Sequence, residues 1–295
     1  MNERMLRAGT LAMILLNSGV KAETPASNTP SADNALMQSS AIPVTVRRGF
    51  LAIVTGQIGA QKHNFILDTG TAPSILNARL ARKLSLEVTS GALIAAGRRV
   101  KTQQAVLPEL DLGPIHAANL SVNVMDLAAW EDKLGTEIAG LIGMDVLGRT
   151  SFQLDYERKE LIFGSVAAEG IAVSYDRLAG LALAEATVQG RRVRLIVDTG
   201  SDLVVVYGEN WDRRDAPAGA TASEGRDGTG VAGSVSARLI TNPEMELGGR
   251  QFRGLATYSL PSAASSIYDG FFGVRALKLR GLSFDRATQT MYLLN

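Results

Sequence analysis

The chain has 295 residues, 46% of them hydrophobic and 20% charged, the make-up of an ordinary globular protein long enough to bury a sizeable core. Thirty Lys and Arg against 29 Asp and Glu leave no excess positive charge to recruit nucleic acid. Two histidines and no cysteine exclude thiol nucleophiles and disulfides, and they leave a zinc site short of its usual ligands.

At the N-terminus, Arg4 and Arg7 precede an uncharged stretch from Ala8 to Val20, and Val20-Lys21-Ala22 offers a small-residue cut after Ala22. That order predicts a signal peptide over residues 1–22 and hence a periplasmic or secreted product. The apolar run is too short for a membrane span. Residues 23–43, rich in Ser, Thr, Pro, Asn and Ala, are expected to be a disordered leader. No Lys or Arg occurs between Ala22 and Val46, so this stretch has no basic side chain with which to mask a pair of carboxylates.

From Val44 onward the pattern is that of strands. Val44–Ile58 is β-rich, Asn64–Leu67 is a short apolar run ending at Asp68, and Val100–Leu112 and Leu120–Leu127 continue the series. One helix is expected over Asn77–Leu86, with Asn77 as N-cap and Leu80 and Leu84 on its apolar face. Strands are expected again over Leu181–Val188, Val193–Val197 and Ala237–Ile240.

The chain repeats itself. Phe65-Ile66-Leu67-Asp68-Thr69-Gly70-Thr71 returns as Leu195-Ile196-Val197-Asp198-Thr199-Gly200-Ser201, Gly140-Leu141-Ile142-Gly143 as Gly270-Phe271-Phe272-Gly273, and Phe152-Gln153-Leu154-Asp155 as Leu282-Ser283-Phe284-Asp285. All three recur at the spacing that separates Thr69 from Thr199, 130 residues. A period this long means duplicated domains. The expected fold is mainly β, in two related lobes over 44–164 and 173–295.

An aspartate at the end of a buried apolar strand is costly unless its charge is used or compensated. The glycine two residues on lets backbone N–H groups approach the carboxylate, and the intervening threonine can lock one loop to its twin. Two such loops in equivalent places of duplicated lobes point to catalysis rather than to ordinary turns. Asp68 and Asp198 are the candidate catalytic pair, with Thr69, Gly70, Thr71, Thr199, Gly200 and Ser201 as loop support.

On both Asp-Thr-Gly-Thr/Ser loops and the Gly-apolar-apolar-Gly segments, the chain resembles the pepsin/retropepsin clan of aspartic peptidases, in particular small bacterial two-lobed members, over roughly Val44 to Asn295. The resemblance implies the acid-protease fold of two barrel-like lobes, with Asp68 and Asp198 meeting in the cleft. It places Gly143 and Gly273 behind the loops and a hairpin flap over the substrate. It implies two carboxylates about 3 Å apart that share a proton, one acting as general base and the other as general acid, and hence endopeptidase action on an extended peptide through an activated water, with no covalent intermediate, metal or cofactor, by a monomer. The flap region Ser90–Leu107 lacks the aromatic residue of pepsins and is closer to the aliphatic flap of retropepsins. As in pepsins, Thr71 and Ser201 follow the loops, and their hydroxyls are expected to donate to the outer carboxylate oxygens. Such donors would lower the pKa of the pair and set activity on the acidic side of neutral.

Three other readings compete. Gly228-Thr229-Gly230-Val231-Ala232-Gly233 matches a dinucleotide fingerprint, but a polar run precedes it and no helix is expected after it. An aspartyl-phosphate loop would need an Asp or Lys where Gly70 and Thr69 stand. A peptide-holding module that does not cut remains the alternative function. His63, His116, Trp130 and Trp211 are read as surface or lobe residues.

Overall fold

A computed structural model describes residues 15–17, 39–95, 98–166, 168–208, 226–230, 233–240, 243–260 and 267–295 of the chain. The expected signal peptide lies outside these residues apart from Leu15–Asn17, as do Trp211 and residues 23–38 of the leader.

Each lobe is a β-structure built around one unusual arrangement. In the first, Gln61–Leu67 runs toward Asp68 beside a parallel strand, Gly140–Ile142, which is antiparallel to Ile75–Asn77. In the second, Arg191–Asp198 lies parallel to Gly270–Gly273, itself antiparallel to Val204–Tyr207. Both Asp-bearing strands are therefore buried on two faces, which is why they read as continuous apolar runs. Successive side chains serve different cores. Phe65 and Leu67, like Leu195 and Val197, enter the main core, while Ile66 and Ile196 join smaller clusters toward the cleft. Full burial of each such side chain stabilises by roughly 1.5–3 kcal/mol.

The lobes share a six-stranded antiparallel sheet to which each half gives three strands. Phe152–Asp155 pairs with Glu160–Phe163 on one side and Gly281–Asp285 on the other, and the latter leads to Thr290–Leu294 and Ile171–Leu178. The outermost strand is Ser40–Pro43, paired with Glu160–Phe163. Its presence corrects the leader boundary. Composition marked residues 40–43 as disordered, yet Ile42 supplies an apolar anchor against the core. Pro43 is tolerated because this is an edge strand. Arg280 crosses the same sheet, its guanidinium Nε 3.3 Å from the buried Asp155 carboxylate and its Nη2 3.2 Å from Glu169.

The expected first helix is present but shorter, Ala78–Lys83. The Asn77 side chain caps it by accepting from Arg79 N at 3.1 Å, and Ser85 turns left-handed (φ 53°) and ends it. Two more helices were not expected from the sequence. Ala128–Leu134 starts where Asp126 accepts from Ala128 N (2.9 Å) and stops at left-handed Gly135, and Met144–Leu147 follows Gly143. Trp130 is buried in the first of these. No helix among the described residues is long and apolar enough to cross a membrane.

Candidate active site

The apolar strands deliver Asp68 and Asp198 to the same point from opposite lobes, and both side chains are fully buried. Asp68 N donates to Ile142 O at 3.0 Å, pinning the start of the first loop to the strand behind it. The threonines then interlock the loops. Thr69 Oγ1 donates to Val197 O (2.7 Å) and accepts from Thr199 N (3.0 Å). Thr199 Oγ1 donates to Leu67 O (2.9 Å) and accepts from Thr69 N (3.0 Å). Each hydroxyl thus bonds the backbone of the opposite loop rather than the other hydroxyl.

Each inner carboxylate oxygen accepts from the glycine of its own loop, Gly70 N to Asp68 Oδ1 at 2.9 Å and Gly200 N to Asp198 Oδ1 at 2.7 Å. The same glycines face the opposite aspartate. A Cβ on Gly70 would lie 2.7 Å from the Asp198 carboxyl carbon, and one on Gly200 would lie 2.9 Å from that of Asp68. No side chain fits between the loops, so the absence of Cβ is what lets the carboxylates approach. Their side chains are within hydrogen-bonding reach of each other. Burial raises the pKa of both acids, and for Asp198 the neighbouring Asp68 charge raises it further. The Gly70 and Gly200 N–H groups act in the other direction. The outer oxygens, Asp68 Oδ2 and Asp198 Oδ2, are buried with no hydrogen-bond partner among the described residues. A pair with two held inner oxygens and two uncommitted outer ones can retain a single proton and pass it across the site.

Gly143 and Gly273 lie behind the loops, where a Cβ would come within 2.3 Å of Thr71 O and 2.1 Å of Ser201 O. The expectation for the hydroxyls at 71 and 201 fails. Ser201 Oγ accepts from Leu203 N (3.0 Å), a local turn, and Thr71 Oγ1 is buried with no partner among the described residues. The two copies differ because Pro73 occupies the place of Leu203 and has no N–H to give to Thr71 Oγ1. The first loop is braced instead by Ser74 and Asp145, which sequence reasoning missed. Asp145 Oδ1 accepts from Ser74 N (3.0 Å) and from Ser74 Oγ (2.7 Å), and Ser74 Oγ accepts from Gly143 N (2.9 Å). The only signal available was the acid after Gly143-Met144, against Arg275 in the second copy.

The rejected dinucleotide fingerprint falls on a hairpin, Arg226–Gly230 paired with Gly233–Leu239, with no helix among the described residues that follow. His116 is exposed and bonds Asp111, and His63 is far along its strand from Asp68.

A sequence profile described as aspartyl protease matches residues 54–146 and again 184–276, once in each lobe. The chain belongs to the aspartyl protease family. Comparison with curated protein sequences gave no match. Among solved structures, the fold is similar to that of an aspartic proteinase from Irpex lacteus, at 15% identity and a TM-score of 0.52, over 86% of this chain and 96% of that one. In this aspartyl protease the hairpin strands Thr89–Ala95 and Arg98–Leu112 stand where the flap was expected. Leu93 packs in a first-lobe cluster, and Ile94 packs against a cluster that joins Ala72 of the first lobe to residues of the second. The backbone of Leu15–Asn17 runs between flap and loop, antiparallel to Leu93–Ile94 and parallel to Thr71–Ala72.

Proposed function

We propose that this family member is an aspartic endopeptidase that hydrolyses peptide bonds with a water activated between Asp68 and Asp198. The observation that carries this reading is the mutual approach of the two buried carboxylates across Gly70 and Gly200. With one proton between them, the ionised aspartate takes a proton from water as the oxygen attacks the scissile carbonyl carbon. The protonated aspartate gives its proton to the carbonyl oxygen. One aspartate then gives its proton to the amide nitrogen while the other takes one from a hydroxyl of the tetrahedral intermediate, so the C–N bond breaks and the pair again holds a single proton, with no covalent enzyme intermediate. Acid–base help of this kind is worth about 10²–10⁴-fold, the remainder coming from positioning and electrostatics.

The substrate is a peptide or protein segment in extended form. The strand pairing of Leu15–Asn17 with both flap and loop supports this, because it is the pairing an extended backbone would make in the cleft. The protein works as a monomer, since one chain carries both loops, and it acts in the periplasm or outside the cell after removal of residues 1–22. That removal also takes Leu15–Asn17 out of the cleft.

Incubation of the protein lacking residues 1–22 with a peptide library tests the proposal. Cleavage is expected with the wild type and is lost, by about 10²-fold or more, in Asp68→Asn and Asp198→Asn. Binding of library peptides with no turnover at any pH from 3 to 8 would overturn it in favour of a binding module on this fold.

A further inference from the structure

The duplicated loops are not braced alike. In the second lobe the brace is internal, Leu203 N donating to Ser201 Oγ at 3.0 Å within the loop itself. In the first lobe Pro73 removes that donor, and Thr71 Oγ1 has no partner among the described residues. The position after Pro73 has changed with it. Ser74 is replaced by Val204 in the second copy, and Asp145 by Arg275.

Those two changes match as a pair. Ser74 gives both its N–H and its hydroxyl to the Asp145 carboxylate, at 3.0 and 2.7 Å, and its oxygen receives Gly143 N at 2.9 Å. Gly143 in turn lies against Thr71 O. One carboxylate thereby fastens the exit of the loop to the strand end on which the loop rests. In the second copy Gly273 N donates directly to Leu203 O (2.8 Å), and Arg275 is released for another task. Its Nε donates to Gly49 O of the first lobe at 3.1 Å and its Nη1 to Leu279 O at 2.7 Å.

We infer that Asp145 is a positioning residue that holds Asp68 in place through Ser74, doing for the first loop what Ser201 does for the second. The inference rests on the peptidase reading only for its kinetic readout. A charge-assisted pair of bonds to one short loop fixes its exit far more tightly than solvent would. A 1 Å misplacement of a reacting group can cost roughly 10²-fold in rate. In Asp145→Asn the amide NH₂ takes the place of Oδ2, which receives Ser74 N at 3.1 Å, so the negative charge and that contact are lost and donor faces donor.

The test compares Asp145→Asn, Ser74→Ala and Ser74→Thr at a temperature well below the melting point of each. Asp145→Asn and Ser74→Ala are expected to lower kcat by about 10–100-fold with KM within about twofold. Ser74→Thr, which keeps the hydroxyl, is expected to restore most of the rate. Independently of turnover, the Gly70 and Thr71 amide resonances should shift more than those of Gly200 and Ser201, because only the first loop loses its brace. Wild-type kcat with unmoved Gly70 and Thr71 amides in Ser74→Ala would overturn the inference, as would equal shifts in both loops. If Asp145→Asn does not fold, Ser74→Ala decides the matter. If the wild type cuts no peptide, the peptidase reading fails while the amide comparison still decides this one.

Discussion

Replacing Thr69 by valine keeps the shape of the side chain and removes one hydroxyl that makes two buried hydrogen bonds, to Val197 O at 2.7 Å and from Thr199 N at 3.0 Å. Both partners stay buried and lose their bond. An unsatisfied buried group costs about 1–3 kcal/mol, so the loss is about 2–6 kcal/mol. For a folded unit of this size each kcal/mol lowers Tm by roughly 2–4 °C, which gives a drop of roughly 4–24 °C. The control is the same substitution two residues on. Thr71 Oγ1 is buried without a partner among the described residues, so Thr71→Val discards a polar atom that bonds none of them and leaves none of their groups newly unpaired. Its Tm is expected within about 2 °C of the wild type, or higher. Scanning calorimetry of the two variants side by side checks this. Equal destabilisation by Thr69→Val and Thr71→Val would refute the assignment of the inter-loop lock to one hydroxyl and the idleness of the other.

Gly70→Ala puts a methyl carbon 2.7 Å from the Asp198 carboxyl carbon and should abolish measurable peptide cleavage while costing about 1–3 kcal/mol of stability, read by urea titration. A variant with wild-type kcat would contradict the close approach of the two loops. The pH dependence of stability follows from the raised pKa values of Asp68 and Asp198. The native state holds protons that the unfolded chain releases near pH 4, so this contribution is complete below the unfolded value and is lost as pH rises through the native ones. The urea midpoint should therefore fall between pH 5 and pH 8, and fall less in Asp198→Asn; equal slopes would count against the dyad as the source. For export, mass spectrometry of periplasmic material should find an N-terminus at Glu23, and retention of residues 1–22 on the exported protein would refute the predicted cut.

Much of the architecture was legible because duplication writes a three-dimensional relation into linear spacing. Asp68 and Asp198, Gly143 and Gly273 recur at one offset, and the structure places each pair in equivalent positions. Leu181–Val188 was delimited correctly because its apolar residues are flanked by Gly180 and Gly190 turns. What escaped depends on contacts across the chain. Ser40–Pro43 is a strand because an edge was waiting for it, not because of its composition. The brace between Ser74 and Asp145 joins residues 71 apart and follows no periodicity. The carboxylate bond expected of Thr71 is not formed, and the bond that Ser201 receives in the second copy is denied to Thr71 by the missing N–H at Pro73, a detail that only the loop geometry made relevant.

One pairing in the shared sheet has a history in it. Gln153 lies directly opposite Ser283, and these two residues occupy the same position in the two copies. Their neighbours follow suit, Phe152 facing Phe284 and Leu154 facing Leu282. A half-length chain would have met its own copy along this strand, in a two-fold symmetric contact that closes on itself. Fusion has turned that contact inward and filled the edge with the duplicate. The two strands are now free to differ, and Gln153 against Ser283 is where the former symmetry axis can be seen to have lapsed.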